Sequence, residues 1–326
     1  MQCIDIPRPG GPEVLRLTTR DVPVPAQGEV LIRVVAAGVN RGDTVQRQGH
    51  YPPPPGASDL PGLEVSGYIE SLGPGVTRWQ CGDAVCALLA GGGYAEYCVA
   101  PATLCLPVPS SLSVVEAAAL PEACFTAWTM LWQSGQLTSG ETVLIHGGAS
   151  GVGTLALRMA HELGHTVYVT AGTAEKCEEC LSLGAAAAIN YREEDFVERL
   201  RDLTGGKGVD VILDMVGGDY VNRDLSVLAT GGRIVLIAFQ GGRFASFDIA
   251  RMMMRRLSIT GATLRSRSVA FKTEIAHTLL EKIWPLIDEG RIRPVIDRVY
   301  ALNNATDAHN RMESGESMGK ILLQLE

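Results

Sequence analysis

The run Gly147-Gly148-Ala149-Ser150-Gly151-Val152-Gly153 follows the stretch Thr142-Val143-Leu144-Ile145-His146 and precedes a segment with an apolar face of helical period. Strand, glycine loop and helix in this order make the turn that binds a dinucleotide pyrophosphate. Glycines such as Gly148, Gly151 and Gly153 let the backbone turn tightly and approach the phosphates, whose charge then faces the unpaired amides at the helix start. Ser150 stands where the strict pattern has its central glycine, and its hydroxyl is expected to hydrogen-bond the cofactor. An ordinary glycine-rich turn could carry the same residues. Six strand-like segments around it favour the nucleotide reading.

The end of the second strand selects between cofactors, because a carboxylate there binds the adenosine ribose of NAD and repels the extra phosphate of NADP. Here the chain reads Val169-Thr170-Ala171-Gly172-Thr173-Ala174-Glu175-Lys176. Small residues, a hydroxyl and then a cation suit a phosphate, so NADPH is the expected cofactor. A solvated helix position for Lys176 is the competing reading, and Glu175 beside it favours that reading.

Other chemistries find less support. The one close cysteine pair, Cys177 and Cys180, lies in a predicted helix with no second pair to complete a metal site, and Cys81, Cys86, Cys98 and Cys105 are spaced irregularly. No metal is expected. Ser150 does not fit the elbow pattern of a serine hydrolase; Gly315-Glu316-Ser317-Met318-Gly319 does, but it follows a helix and precedes a strand, the wrong order. His146, at the end of a predicted strand, is read as a packed or hydrogen-bonded side chain.

These residues need a scaffold, and the rhythm of the chain supplies one. From Val14 to about Ala100, short alternating runs such as Val30-Leu31-Ile32-Arg33-Val34-Val35 are broken by Gly and Pro clusters, which reads as mainly β structure. Beyond residue 142, β-branched runs alternate with helical segments, the pattern of βαβ units around a parallel sheet. Strands are expected at 142–146, 166–170, 187–190, 209–213, 233–238 and 257–260, with helices at 152–163 and 175–183 ended by Gly164 and Gly184. The tail reads as one long helix at 271–288, a strand at 295–300, a helix at 305–312 and a strand at 319–324. It continues no βαβ series and is expected to complete the first domain. The expected organisation is a mainly β domain of residues 1–121 and 265–326 around a six-stranded, doubly wound Rossmann domain of residues 122–264.

A chain of 326 residues, 46% apolar and 20% charged, is long enough for two cores. Its formal charge of −8 is spread among both signs, so a nucleic-acid partner is not expected. The start Met1-Gln2-Cys3-Ile4-Asp5 has no basic segment before an apolar one, and no apolar run reaches membrane-spanning length, which points to the cytoplasm. The eight cysteines then read as reduced thiols packed as small apolar groups.

The chain resembles the zinc-free quinone oxidoreductases of the medium-chain dehydrogenase/reductase superfamily, including the zeta-crystallin-like and tumour-suppressor-inducible enzymes. The resemblance spans essentially the whole chain, through Pro9-Gly10-Gly11-Pro12, Asn40-Arg41-Gly42-Asp43, Arg47-Gln48-Gly49-His50-Tyr51, Gly62-Leu63-Glu64-Val65-Ser66-Gly67, Gly82-Asp83-Ala84-Val85 and Met318-Gly319-Lys320-Ile321. It implies that the mainly β domain is GroES-like and that the protein is a homodimer. Zinc-dependent relatives carry a cysteine ligand near Asn40 to Gly42 and a histidine where Leu63 stands. Lacking both, this chain is implied to reduce an acceptor that is already electron-poor, a quinone or an α,β-unsaturated carbonyl.

Matched residue by residue, the resemblance implies that Asn40, Ser150, Gly151 and Val152 contact the nicotinamide and pyrophosphate, with Thr126 nearby. Gly172, Lys176 and Tyr191 would clamp the adenosine phosphate. Loops containing Val216, Phe239 and Gly241, and Leu264 with Ser266, would close on the nicotinamide half. Tyr51, Asn40 and Ser150 are the candidate catalytic residues; the Tyr51 phenol would either donate a hydrogen bond or proton or pack beside the acceptor. Two rival readings remain: an NADPH-dependent enoyl-thioester or alkene reductase, and a nonenzymatic NADPH-binding protein.

Overall fold

In the computed structural model, which describes residues 1–325, the chain opens with a ribbon of β1 (Gln2–Asp5) and β2 (Arg16–Thr19), paired antiparallel. The alternating run at Val30 becomes part of β3 (Glu29–Val39), the longest strand. It pairs antiparallel with β4 (Glu64–Leu72) and, through its first half, with β6 (Tyr97–Pro101). β5 (Ala84–Leu88) and β7 (Cys105–Pro107) extend the sheet beyond β4. Between β3 and β4 lies a helix absent from the sequence expectation, α1 (Arg41–Arg47). Asp43 in its first turn accepts from the Asn40 backbone N–H at 2.8 Å, one arm of a capping box. Two helices follow, α2 (Val114–Ala117) and α3 (Pro121–Trp128).

The chain divides into one unit of Met1–Phe125 with Arg265–Glu326 and another of Thr126–Leu264. The first division lies within α3, four residues past the expected boundary at 121, because the helix that begins at Pro121 runs on to Trp128.

The second unit is a Rossmann-type parallel sheet. It contains β8 (Thr142–His146), β9 (Thr166–Ala171), β10 (Ala187–Asn190), β11 (Val209–Asp214), β12 (Leu228–Leu236) and β13 (Ser258–Gly261), in the spatial order β10-β9-β8-β11-β12-β13. Every pairing is parallel. The order reverses beside β8, so the crevice at the carboxyl ends of the strands opens next to the glycine loop. The connecting helices are α4 (Gly151–Glu162), α5 (Ala174–Ser182), α6 (Phe196–Leu203), α7 (Tyr220–Val227) and α8 (Ile249–Arg255). Gly164 and Gly184 follow α4 and α5 at φ of 86° and 102°, the left-handed exit that glycine supplies. The core packs Leu144, Ile212 and Ile234 of the sheet against Phe196, Leu200 and Leu225 of α6 and α7.

The tail returns to the first unit as α9 (Val269–Lys282), α10 (Trp284–Asp288), β14 (Ile296–Ala301), α11 (Ala305–Glu313) and β15 (Lys320–Gln324). The single helix expected at 271–288 is two helices: Pro285, without an N–H and with a ring that clashes one turn back, interrupts the ladder near Ile283. β15 pairs antiparallel with β3 and parallel with β14, giving a seven-stranded GroES-like sheet ordered β14-β15-β3-β4-β5-β7, with β6 also on β3. That pairing places Lys320 at the mouth of the β3 to α1 connection. Ser317 of the hydrolase-like run sits between α11 and β15, with no helix after it.

Candidate functional site

In the first unit, charged side chains that belong at the surface are buried together. Lys320 and Glu64 are 2% and 0% exposed and form an ion pair between Lys320 Nζ and Glu64 Oε1. Asn40, at the end of β3, bridges them: its Nδ2 donates to Glu64 Oε1 at 2.8 Å and its Oδ1 accepts from Lys320 Nζ at 2.7 Å. The second Glu64 oxygen accepts from the Glu122 backbone N–H at 2.8 Å. Gly38, behind Asn40, has to be glycine, because a Cβ there would lie 2.1 Å from Glu64 Oε1. Asn40 is therefore held by its amide in one orientation, on a buried pair whose charges satisfy each other.

A second network runs through Asp43. Its carboxylate accepts from the Asn40 and Gly62 backbone N–H groups and from Tyr94 Oη at 3.2 Å. Full burial nonetheless pushes its carboxyl up to about 6. Tyr94 Oη also meets His309 Nε2 at 3.2 Å, while Arg47 Nη1 lies 3.0 Å from His309 Nδ1. Arginine only donates, so His309 Nδ1 is the acceptor and the ring proton is on Nε2, which donates to Tyr94, which in turn donates to Asp43. Arg47, 1% exposed, is balanced by Glu313 at 2.6 Å. Burial and the Arg47 charge hold His309 down at about 3, neutral in the folded chain.

The sign of the His309 shift gives a prediction. Below its ordinary value of 6.5 the unfolded chain takes a proton that the native chain refuses, so stability is lost as pH falls from there towards 3. The loss approaches about 1.4 kcal/mol per pH unit. His309→Gln accepts from Arg47 and donates to Tyr94 without titrating. Urea unfolding of both chains should show a stability difference that is constant above pH 7 and shifts in favour of the variant below 6.5; a difference unchanged from pH 7 to 5 contradicts a His309 held neutral by burial.

Tyr51 packs against α1, where a Cβ on Gly42 would lie 3.4 Å from its ring and 2.9 Å from Leu63. Arg265 covers the ring with its guanidinium 5.0 Å from the centroid and donates to the Tyr51 carbonyl at 3.0 Å and to Gln46 Oε1 at 2.7 Å. Burial first and the nearby Glu122 second raise the Tyr51 phenol above its ordinary 10, so it carries its proton at neutral pH. Glu122 itself is pushed up to about 7 by burial and by Glu64. Lys272, 4% exposed, donates to the Arg265 carbonyl at 2.7 Å.

In the second unit the glycine loop has the shape a pyrophosphate requires. Ser150 caps α4, its Oγ accepting from Gly153 N–H at 3.0 Å while its hydroxyl hydrogen stays free to donate. The amides of Gly151 and Val152, in the first turn of α4, have no partner within the helix. Side chains are excluded where the loop folds tightest: a Cβ on Gly153 would lie 2.2 Å from Gly147 O, and one on Gly148 2.5 Å from Val169. Gly148 N–H donates to Thr170 O at 2.9 Å, fixing the loop to the end of β9.

At that end, Gly172 faces Tyr191, whose Oη lies 2.7 Å from where a Gly172 Cβ would stand. Tyr191 is 44% exposed, and Lys176 sits in the first turn of α5, capped by Thr173. Gly172 and Tyr191 thus meet at this edge, and Lys176 lies four residues beyond Gly172 in the chain. Val216 and Gly241 also meet: Gly241 N–H donates to Val216 O at 2.7 Å, and Asp214 holds the turn through the Val216 and Gly217 amides. Beside them a cleft of about 390 Å³ is lined by Phe239, Gly217, Gly261 and Thr263. Leu264 is buried one residue on, as is Thr126 at the start of the unit; Ser266, Asn40 and Tyr51 belong to the other unit. His146 is buried and bonded to Thr170 Oγ1 and Asp224.

Sequence reasoning attached no role to Glu64, Asp43, Tyr94, Arg265, Glu122, Lys272, His309 or Lys320. Among the described residues no group of three or more His, Cys, Asp or Glu is placed to hold a metal ion, and all eight cysteines are free.

Residues 26–110 match the family model described as alcohol dehydrogenase GroES-like domain, and residues 151–281 match that of zinc-binding dehydrogenase. The quinone oxidoreductase of Rattus norvegicus is 35% identical over 328 residues, covering 100% of this chain and 98% of its own; the Homo sapiens enzyme is 33% identical with the same coverage. Among solved structures, Escherichia coli quinone oxidoreductase complexed with NADPH superposes with a TM-score of 0.88 at 32% identity over 99% of this chain and all of that one. The CurK enoyl reductase superposes at 0.87 with 27% identity, covering 100% of this chain and 99% of its own.

Proposed function

This chain belongs to the quinone oxidoreductase family of the medium-chain dehydrogenase/reductase superfamily, and from that premise we propose that it is a zinc-independent NADPH:quinone oxidoreductase acting on small quinones or related conjugated carbonyls. The observation that carries the cofactor half is the end of β9, where Gly172 meets Tyr191, Lys176 follows in the first turn of α5 and no carboxylate stands at the ribose position. The amides of Gly151 and Val152 bind the pyrophosphate, Gly148 and Gly153 let the backbone come close to it, Ser150 adds its hydroxyl, and Lys176 with Tyr191 takes the adenosine phosphate. Thr126, Val216, Phe239, Gly241, Leu264 and Ser266 close on the nicotinamide half. Bound there, NADPH supplies two electrons and a hydrogen from its reduced ring.

Asn40 orients through the carboxamide that Glu64 and Lys320 fix, and Tyr51 offers a protonated phenol to the oxygen on which the acceptor gains charge. The Leu63 side chain, 2% exposed, fills the place where zinc-dependent relatives have a ligand, so the acceptor must arrive already polarised by conjugation. A second reading, an enoyl-thioester reductase, rests on the superposition with CurK enoyl reductase, and uses Tyr51 as the proton donor. Among the described residues no helix is long and apolar enough to cross a membrane. We place the protein in the cytoplasm, where free thiols persist, and as a homodimer: β13 has a free edge, and Phe244, Ile249, Met253 and Met254 before it are 64–80% exposed.

The Lys176 assignment has a direct test. Lys176→Ala should raise KM for NADPH about tenfold, roughly 1.4 kcal/mol, and leave KM for NADH within about twofold. Equal effects on the two would remove the phosphate contact.

A further inference from the structure

The opposite end of the Rossmann sheet carries a cavity of about 330 Å³ lined by Arg201, Arg251 and Arg255 with Thr204, Ser226, Gly206 and Gly208. Arg201 ends α6, Ser226 and Val227 end α7, and Arg251 and Arg255 come from α8; all precede the starts of β11, β12 and β13. The glycine loop follows the carboxyl end of β8, so a strand length of roughly 20 Å separates the two places. This cavity is not the dinucleotide site.

Its charge is unbalanced. No carboxylate lines it, and among the described residues none of the three guanidiniums has an ion pair or hydrogen bond. Two other arginines of the same unit are paired, Arg223 with Asp195 and Arg199 with Glu194. Arg201 and Arg255 lie in last helical turns, where the helix dipole favours a cation. That does not account for Arg251, in the first half of α8, nor for placing it four residues from Arg255, where like charges on one face repel. Both are half-buried. Thr204 Oγ1 and Ser226 Oγ already donate to the Leu200 and Arg223 carbonyls. The cavity thus offers planar guanidinium forks and no fixed acid, the donor set that matches phosphoryl oxygens.

We propose that this cavity binds the phosphoryl group of a small phosphorylated metabolite, at a second anion site separate from the cofactor cleft. A volume of about 330 Å³ suits a diphosphate or a small phosphate ester rather than an extended polymer.

Calorimetric titration of the full chain, saturated with NADPH, uses inorganic pyrophosphate as probe, with phosphate and chloride for comparison. One pyrophosphate should bind per chain, more tightly than phosphate and at least tenfold more tightly than chloride. Arg251→Gln with Arg255→Gln should weaken it tenfold or more while NADPH affinity changes less than twofold. Ser226→Asp, which puts a carboxylate in the cavity, should have the same effect and covers a double variant that fails to fold. Binding that survives these changes, that NADPH displaces, or that chloride matches would overturn the proposal. Tighter binding of a short single-stranded oligonucleotide in competition with pyrophosphate would overturn the metabolite assignment.

Discussion

Lys320→Met should destabilise the chain by about 3–5 kcal/mol, a large share of the ~5–15 kcal/mol that holds a typical domain. Methionine fills most of the volume of the lysine stem but leaves Glu64, 0% exposed, with only the Asn40 amide and the Glu122 backbone N–H to balance its charge. The loss comes from the uncompensated carboxylate, so removing that charge as well should restore much of it. Glu64→Gln in the Lys320→Met background is therefore expected to be more stable than Lys320→Met alone, a coupling that a double-mutant cycle in urea reads directly. A loss under about 1 kcal/mol in the single variant would mean that the pair is neutral or wet.

Gly153→Ala should weaken NADPH binding on the order of 100-fold, about 2.7 kcal/mol. The new Cβ would stand 2.2 Å from Gly147 O and 2.9 Å from the Gly148 carbonyl carbon, both backbone atoms that cannot rotate away. Relief requires the loop to move off the start of α4, which separates the amides of Gly151 and Val152 from the phosphates. Titration of NADPH by its own fluorescence checks this. An affinity near that of the unchanged chain would show that the loop is not where the pyrophosphate is held.

The second unit was legible because its signals are local. Thr142 to His146 and Ala187 to Asn190 are strands at the expected residues, and Gly164 and Gly184 end the helices before β9 and β10. The glycine loop could be read from consecutive residues for the same reason. The first unit was harder. α1 is seven residues among Gly- and Pro-rich segments, too short for a period, and only the Asn40 and Asp43 spacing marked its start. Pro285 was a visible signal that the continuous apolar pattern of 271–288 masked.

The buried network was out of reach for a different reason. Glu64 and Lys320 are 256 residues apart, and Arg47 and His309 are 262 apart, so no spacing announces them. The resemblance marked Gly62 to Gly67 and Met318 to Ile321 as family segments without saying that β15 brings the second to Asn40. A buried charge is not readable from residue type alone, since Lys and Glu are ordinarily exposed. Arg265 lies between Leu264 and Ser266 in the same loop, and nothing in its residue type shows that its guanidinium turns inward to Tyr51 and Gln46.

The most direct test of the account is steady-state oxidation of NADPH, followed at the nicotinamide absorbance band, with small quinones, enones and enoyl thioesters offered separately, NADH in parallel and a chelator present. The account predicts chelator-resistant turnover that prefers NADPH over NADH and quinones over the other acceptors. Turnover only with enoyl thioesters, or NADPH binding without consumption by any acceptor, would contradict it.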